Sequence, residues 1–249
     1  MYNNTINYLL HLADTTLILS QRNSEWCGHG PMLEQDIALT NISLDILGQA
    51  RNFYQYAAAL INQLPITTNQ ITEDDLAYVR KERDFKNLLL VEQPNGHWGQ
   101  TILRQYLFSQ YQFLLFTQLQ KIGDEQLAAI TTKALKEITY HVRWSSEWVI
   151  RLGDGTDESR QKMIDAIDAL WMYVGEMFLP AVYEPSFNVE ALQTKWLQQV
   201  TDVFNNATLS VPQHIFAQTG GKNGVHTEHL GYMLTDLQYV QRTYPGAQW

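Results

Sequence analysis

The 249-residue sequence contains a single cysteine, Cys27. One thiol cannot form a disulfide within the chain, and it cannot supply the several cysteine ligands of a zinc ribbon or an iron–sulfur cluster. The opening residues, Met1-Tyr2-Asn3-Asn4, lack the basic region of a signal peptide. We therefore expect a cytoplasmic protein that folds without disulfides.

Charged residues are also scarce, at 17% of the chain against about 25% in an average domain. Acidic residues outnumber basic ones by 26 to 17, which gives a net charge of −9. This balance argues against a nucleic-acid partner, because a phosphate-binding surface needs basic residues. No run of about 18 uninterrupted apolar residues exists, so we expect no membrane span. The hydrophobic fraction of 45% is enough for a large core, and the low charge is compatible with a permanent interface.

Helical periodicity dominates the chain and is broken by clusters of glycine, proline and asparagine. It predicts long helices over about 5–21, 31–62, 98–121, 125–152, 157–178, 189–207 and 227–242, and a short one within 73–85. The run 87–92 is strand-like but too isolated to form a sheet. The sequence therefore predicts an all-α protein, a helical bundle of one domain (1–249) with additional helices near its C-terminus.

The second predicted helix carries an apolar stripe at helical spacing. Its members are Leu33, Ile37, Thr40, Leu44 and Leu47. We expect this stripe to face the core of the bundle.

A helical bundle can hold a di-metal carboxylate site, built from a Glu on each of two helices and a Glu-x-x-His pair on each of two others. No Asp or Glu of this sequence is followed three residues later by His, and the predicted helix 98–121 contains no acidic residue. The usual four-carboxylate, two-histidine site therefore cannot be assembled. We expect no catalytic residue, no metal and no other cofactor in this chain.

Four polar residues nevertheless interrupt apolar stripes of the predicted helices: Asp14, Asp45, Glu137 and His141. A buried carboxylate without a partner costs several kcal/mol. We therefore predict a buried polar network in which Arg51, Arg104 or His141 pairs with the acids. A residual metal site made of the same residues and simple exposure remain as alternatives.

A glycine-rich loop, Gly220–Gly224, contains Lys222 and precedes the last predicted helix, which begins near His226 and His229. A flexible loop, a cation and a helix N-terminus together can hold a phosphate group. Lys222, His226 and His229 are therefore candidates for a ligand contact or an interface. A plain loop followed by a capped helix start explains the same residues.

Several multi-residue motifs of this chain match, in the same order, those of a known family. They include Glu25-Trp26-Cys27-Gly28-His29-Gly30-Pro31, Leu44-Asp45-Ile46-Leu47-Gly48-Gln49-Ala50-Arg51, Leu88-Leu89-Leu90-Val91-Glu92-Gln93-Pro94-Asn95-Gly96, Leu152-Gly153-Asp154-Gly155-Thr156, and Thr219-Gly220-Gly221-Lys222 followed by His226-Thr227-Glu228-His229-Leu230-Gly231. On these residues the chain resembles, over nearly its whole length, the C subunits of phenylacetyl-CoA oxygenase (1,2-epoxidase) complexes.

The resemblance implies a ferritin-like helical fold and membership of a multicomponent monooxygenase that epoxidises the ring of phenylacetyl-CoA with O₂ and NADPH in aerobic phenylacetate degradation. It further implies that the catalytic A subunit holds the di-iron centre, and that a reductase subunit carries flavin and iron–sulfur cofactors. This chain would be a structural, non-catalytic partner of both, in homo- and hetero-oligomers.

Two other functions stay open at this point. One is a self-sufficient oxygenase with a degenerate metal site. The other is a helical module that binds CoA, with Lys222, His226 and His229 near the phosphate.

Overall fold

The computed structural model describes residues 2–65, 70–186, 188–213 and 216–247. Within these ranges there are ten α-helices and no strand, so the predicted all-α class is confirmed. The helices are α1 (Tyr2–Ser24), α2 (Leu33–Ile61), α3 (Glu73–Tyr78), α4 (Leu89–Glu92), α5 (Trp98–Leu119), α6 (Glu125–Gly153), α7 (Asp157–Leu170), α8 (Val189–Asn206), α9 (Glu228–Leu237) and α10 (Tyr239–Thr243).

The helices pack as a bundle in which α1 lies along α2 and α5 lies along α6. Helices α2 and α6 join the two pairs, and α7 and α8 cover the other side of α5 and α6. Helix α5 is central, because nearly all of its residues are buried. This is the predicted ferritin-like bundle, and α8, α9 and α10 are its additional C-terminal helices.

Side-chain caps set several of the helix starts where the sequence predicts them. Asp124 accepts a hydrogen bond from the backbone N–H of Leu127 at the start of α6. Thr156 and Asn188 cap α7 and α8 in the same way. Each cap satisfies a backbone donor that the helix itself leaves free.

Two segments differ from the sequence-based prediction. Residues 89–92 of the strand-like run 87–92 form the short helix α4, and all four are buried. The predicted helix 157–178 ends at Leu170 and continues as the 3₁₀ segments Trp171–Tyr173 and Gly175–Phe178. At Gly175 the backbone passes so close to Ala217 that a Cβ atom would lie 2.7 Å from the alanine Cβ. A larger residue at position 175 would therefore require Ala217 to shift.

The prediction that the stripe from Leu33 to Leu47 faces the core is wrong. Leu33, Ile37, Leu44 and Leu47 are exposed, and Thr40 is half-buried. The buried side of α2 carries Ser43, Gln49 and Tyr54 together with other apolar residues: Leu39, Ile42, Ile46, Ala50, Phe53, Ala57 and Ala58. Both sides of this helix therefore carry an apolar stripe over its first half, so periodicity alone could not tell which side would be covered.

No helix in the described ranges combines the length and the apolar character that crossing a lipid bilayer requires.

Candidate functional site

The interior of a ferritin-like bundle, between facing helices, is where a di-metal site would lie. Here α2, α5 and α6 contribute Gln49, Gln112 and Glu137 to that region. The Gln49 amide donates to Glu137 Oε2 at 3.0 Å, and the Gln112 amide donates to Gln49 Oε1 at 3.0 Å. Two amides and one half-buried carboxylate thus form a hydrogen-bonded chain across three helices.

One helical turn away, the buried ring of His141 meets Asp45. His141 Nε2 lies 3.1 Å from Asp45 Oδ2, and the aspartate side chain is 40% exposed. Asp45 lies one turn before Gln49 on α2. Its partner His141 lies one turn after Glu137, the partner of Gln49, on α6. The two helices therefore run antiparallel at this contact, and the pair lies at the edge of the bundle.

A second amide cluster lies between α1 and α5. Asn23 Nδ2 donates to Gln105 Oε1 at 2.7 Å, and Gln105 Nε2 donates to Ser109 Oγ at 2.7 Å. Amides and hydroxyls both donate and accept, so they can bond to one another without a cation to neutralise them, and of this cluster Asn23 Oδ1 is left without a hydrogen-bond partner among the described residues. The acid-free sequence of α5 is therefore compatible with an interior in which neutral polar side chains hydrogen-bond to one another.

These donors do not fit a di-iron centre. Such a centre takes four carboxylates and two histidines from facing helices, whereas this interior offers neutral amides around one partly buried Glu137. Among the described residues, no three His, Cys, Asp or Glu side chains lie close enough together to hold a metal ion. The chain's own residues therefore assign it no step of metal chemistry.

Asp14 lies apart from this group, in a network of its own. Its fully buried carboxylate accepts hydrogen bonds from the Tyr54 hydroxyl at 2.6 Å and the Lys86 backbone N–H at 2.8 Å, and it pairs with the guanidinium of Arg80. That guanidinium also stacks 4.3 Å from the centre of the Phe85 ring. Burial opposes the charged form of Arg80, but Asp14 outweighs it and raises the Arg80 pKa.

The sequence suggested the wrong arginines as partners. Arg51 is exposed and pairs with Glu73, 3.4 Å away. Arg104 is fully buried and donates to backbone and amide oxygens at Gln93 and Asn95, and burial lowers its pKa to about 9. Of the four predicted network residues, the structure thus brings together Asp45 and His141, places Glu137 beside them, and sets Asp14 elsewhere.

The structure argues against a ligand contact by Lys222. The residue is 3% exposed, and its ammonium group donates to the Leu179 carbonyl at 2.9 Å and lies 2.7 Å from Glu184 Oε1. A cation that is already bonded inside the protein is not available to a phosphate group. The loop is also not exposed at this point, because Lys222 and its neighbour Gly221 are both buried.

His226 is also held inside, by a carboxylate that the sequence analysis missed. His226 Nδ1 lies 2.5 Å from Glu92 Oε1, its Nε2 lies 2.9 Å from the Phe85 carbonyl, and the ring is fully buried. His229, by contrast, is half-buried in the first turn of α9. The three candidate residues therefore do not form a common cationic site for a phosphate group.

Glu92 is the centre of this cluster. It is fully buried and also accepts hydrogen bonds from Asn87 Nδ2 and from the N–H and hydroxyl of Thr227. A single carboxylate therefore joins the end of α4 to the start of α9. The available signal was an acid that directly follows the apolar run Leu88–Val91, since an acid in such a run needs a distant partner.

We expect the contribution of His226 to stability to fall as the pH rises from 6 to 8.5. Burial disfavours the imidazolium form, but the hydrogen bond to Glu92 outweighs it and raises the His226 pKa above its ordinary value of 6.5. A raised pKa stabilises the fold fully below 6.5, and this stabilisation is lost as the pH passes the folded-state value. The measurement is the difference in free energy of urea unfolding between wild type and His226→Gln across that range.

The control variant is His29→Gln, which removes an exposed histidine that lies outside the Glu92–His226 pair. A wild-type minus His226→Gln difference that stays constant, or grows with pH, would contradict the assignment of the Glu92–His226 ion pair.

Known proteins match this chain over nearly its whole length. The family model described as phenylacetic acid catabolic protein matches residues 1–249. The C subunit of the 1,2-phenylacetyl-CoA epoxidase of Escherichia coli (strain K12) is 51% identical in an alignment that covers 97% of this chain and 98% of that protein. These matches confirm the resemblance indicated by the sequence motifs, and the chain belongs to the phenylacetic acid catabolic protein family.

Proposed function

We propose that this chain is a non-catalytic structural subunit of a cytoplasmic phenylacetyl-CoA epoxidase, and that it pairs with the catalytic A subunit. The 51% identity to the C subunit of such an epoxidase supports the assignment to the complex. The observation that carries the non-catalytic role is the hydrogen-bonded chain Gln112–Gln49–Glu137, which occupies the bundle interior with amides. Under this proposal the A subunit holds the di-iron centre, and the reductase carries the flavin and iron–sulfur groups.

The contribution of the chain would then be geometric. Its buried ion pairs and its amide clusters connect α1, α2, α5 and α6 with one another and with the C-terminal helices. A rigid bundle of this kind can present a fixed surface to a catalytic relative without taking part in proton or electron transfer.

We expect the purified chain, loaded with ferrous iron under anaerobic conditions and then desalted, to retain much less than one iron per chain. The physical reason is that amides replace the carboxylates of a di-iron ligand set. Elemental analysis is the measurement, with the A subunit treated in parallel as the positive control. Two tightly bound irons per chain would overturn the proposal in favour of a self-sufficient oxygenase.

Turnover provides a second readout of the same proposal. When Glu137→Gln is co-purified in the complex, turnover per assembled complex should equal that of wild type, because Glu137 supplies no metal ligand and glutamine retains a hydrogen-bonding partner for Gln49. A loss of kcat in fully assembled complex would place Glu137 in the chemistry.

A further inference from the structure

The outer side of α2 is apolar and uncovered. Leu33 is 72% exposed, Leu44 is 60% exposed and Leu47 is 40% exposed, and Ile37 lies between them on the same side. At the helical rise of about 1.5 Å per residue, this stripe is about 21 Å long. We call these four residues the α2 outer face.

An apolar stripe on a helix of a globular protein normally faces a core or a partner. Helix α2 carries two such stripes in its first half, alongside exposed polar residues such as Glu34 and Asn41, and the described part of this chain covers only the inner stripe. Contiguous exposed apolar surface on a soluble protein marks an interaction site. The α2 outer face is therefore a surface that a second protein should cover.

A groove between α2 and α3 lies beside the C-terminal part of the α2 outer face, at Leu44 and Leu47. Its volume is about 330 Å³. Its walls include Leu44, Leu47, Gly48, Arg51, Asp74 and Tyr78. The groove adjoins the α2 outer face, because Leu44 and Leu47 belong to both. A side chain of a docking helix can therefore enter the groove.

Gly48 independently indicates that the backbone of a second helix comes close to α2. It lies in the interior of a 29-residue helix, where glycine is a poor helix former, and a Cβ atom at this position would meet nothing within 4 Å. Packing within the chain thus gives no reason for a glycine here. Small residues on a helix face let a second helix backbone come close, and Gly48 adjoins Leu44 and Leu47 in the groove.

The charges along the groove indicate what kind of partner fits. Arg51 is paired with Glu73, so Asp74 remains as the further charge of the groove wall, and the exposed Glu34 adds a carboxylate beside Leu33 on the α2 outer face. The groove and the α2 outer face together therefore carry more acidic than basic residues, on a chain of net charge −9. A second copy would bring acid against acid, whereas a chain with Lys or Arg flanking an apolar ridge is complementary.

We propose that the α2 outer face, with Gly48 at its point of closest approach, is the surface on which this chain docks a helix of the catalytic A subunit. The docking helix presents an apolar ridge with basic residues on its flank. This inference rests on the proposed function, since it names the surface by which the two subunits pair.

The first test measures the dissociation constant (Kd) between the purified A subunit and full-length variants of this chain. We expect Leu44→Glu to raise Kd at least tenfold, because a buried carboxylate would face apolar partner atoms. Leu197→Glu is the matched control: Leu197 lies on α8, is 41% exposed, and should bind like wild type. Both variants change exposed positions, so their thermal unfolding should match wild type.

The second test uses Gly48→Ala, for which stability and binding should move in opposite directions. Alanine is the better helix former and fits without a clash, so the melting temperature of the free chain should rise by about 1–3 °C. The added methyl group should hold the docking helix away and raise Kd. A rise in melting temperature with unchanged binding would show that nothing approaches Gly48, and would overturn the inference.

The outcomes separate this inference from the proposed function. If wild type does not bind the A subunit, both fail. If wild type binds and Leu44→Glu and Gly48→Ala bind equally well, only the docking surface is wrong. If Leu44→Glu abolishes self-association of this chain but leaves binding to the A subunit intact, the face belongs to a second copy and the inference is overturned.

Discussion

Replacing Arg80 with methionine is expected to lower the free energy of unfolding by about 3–5 kcal/mol. The substitution keeps most of the side-chain length but leaves Asp14 as a buried carboxylate without its countercharge. The remaining donors, the Tyr54 hydroxyl and the Lys86 N–H, cannot neutralise it. Urea unfolding of the purified chain is the measurement.

Arg51→Met is the matched control, because Arg51 pairs with Glu73 at the surface. Exposed ion pairs contribute about 0–1 kcal/mol, so this variant should unfold almost like wild type. The double variant Arg80→Met with Asp14→Asn should recover part of the loss, since no buried charge remains. If Arg80→Met alone stays within about 1 kcal/mol of wild type, the expected contribution of the Arg80–Asp14 pair to stability is contradicted.

Replacing Glu92 with alanine should cost about 3–5 kcal/mol of stability. The carboxylate accepts from three side chains and one backbone N–H, and its loss strands these donors in a buried space. Glu92→Gln should cost clearly less, because the amide oxygen can still accept. Hydrogen exchange gives a local readout: amides of α4 and of the first turn of α9 should lose protection in Glu92→Ala.

Glu190→Ala serves as the control for Glu92→Ala, since Glu190 is exposed in the first turn of α8. Equal losses for Glu92→Ala and Glu92→Gln would show that the charge and not the hydrogen bonds matters at this position. Unchanged protection in α9 would show that Glu92 does not hold the C-terminal helices in place.

Most helices were predictable, because their periodic stripes and capping residues are local signals. Helix α5, for example, begins at the predicted Trp98 and ends two residues before the predicted end. The orientation of α2 was not predictable, because both of its sides carry an apolar stripe. Periodicity predicts that a side of a helix is covered, but it does not predict whether the same chain or another chain covers it.

The candidate site was predictable in part. The lack of acids in α5 and of any Asp/Glu-x-x-His was readable from the residues, and so was the need of Asp14 for a partner. The identity of that partner was not, because Arg80 is 66 residues away and lies in a loop whose position only the folded chain defines. The same holds for Glu92 and His226, which are 134 residues apart.

The single cysteine of the chain has a practical consequence. Cys27 is exposed and lies in the loop between α1 and α2, six residues before Leu33 at the start of the α2 outer face. A maleimide fluorophore would therefore attach at one position only, without any engineered thiol. Its emission and anisotropy would report, in real time and on the unmodified sequence, whether a partner arrives at that end of the helix.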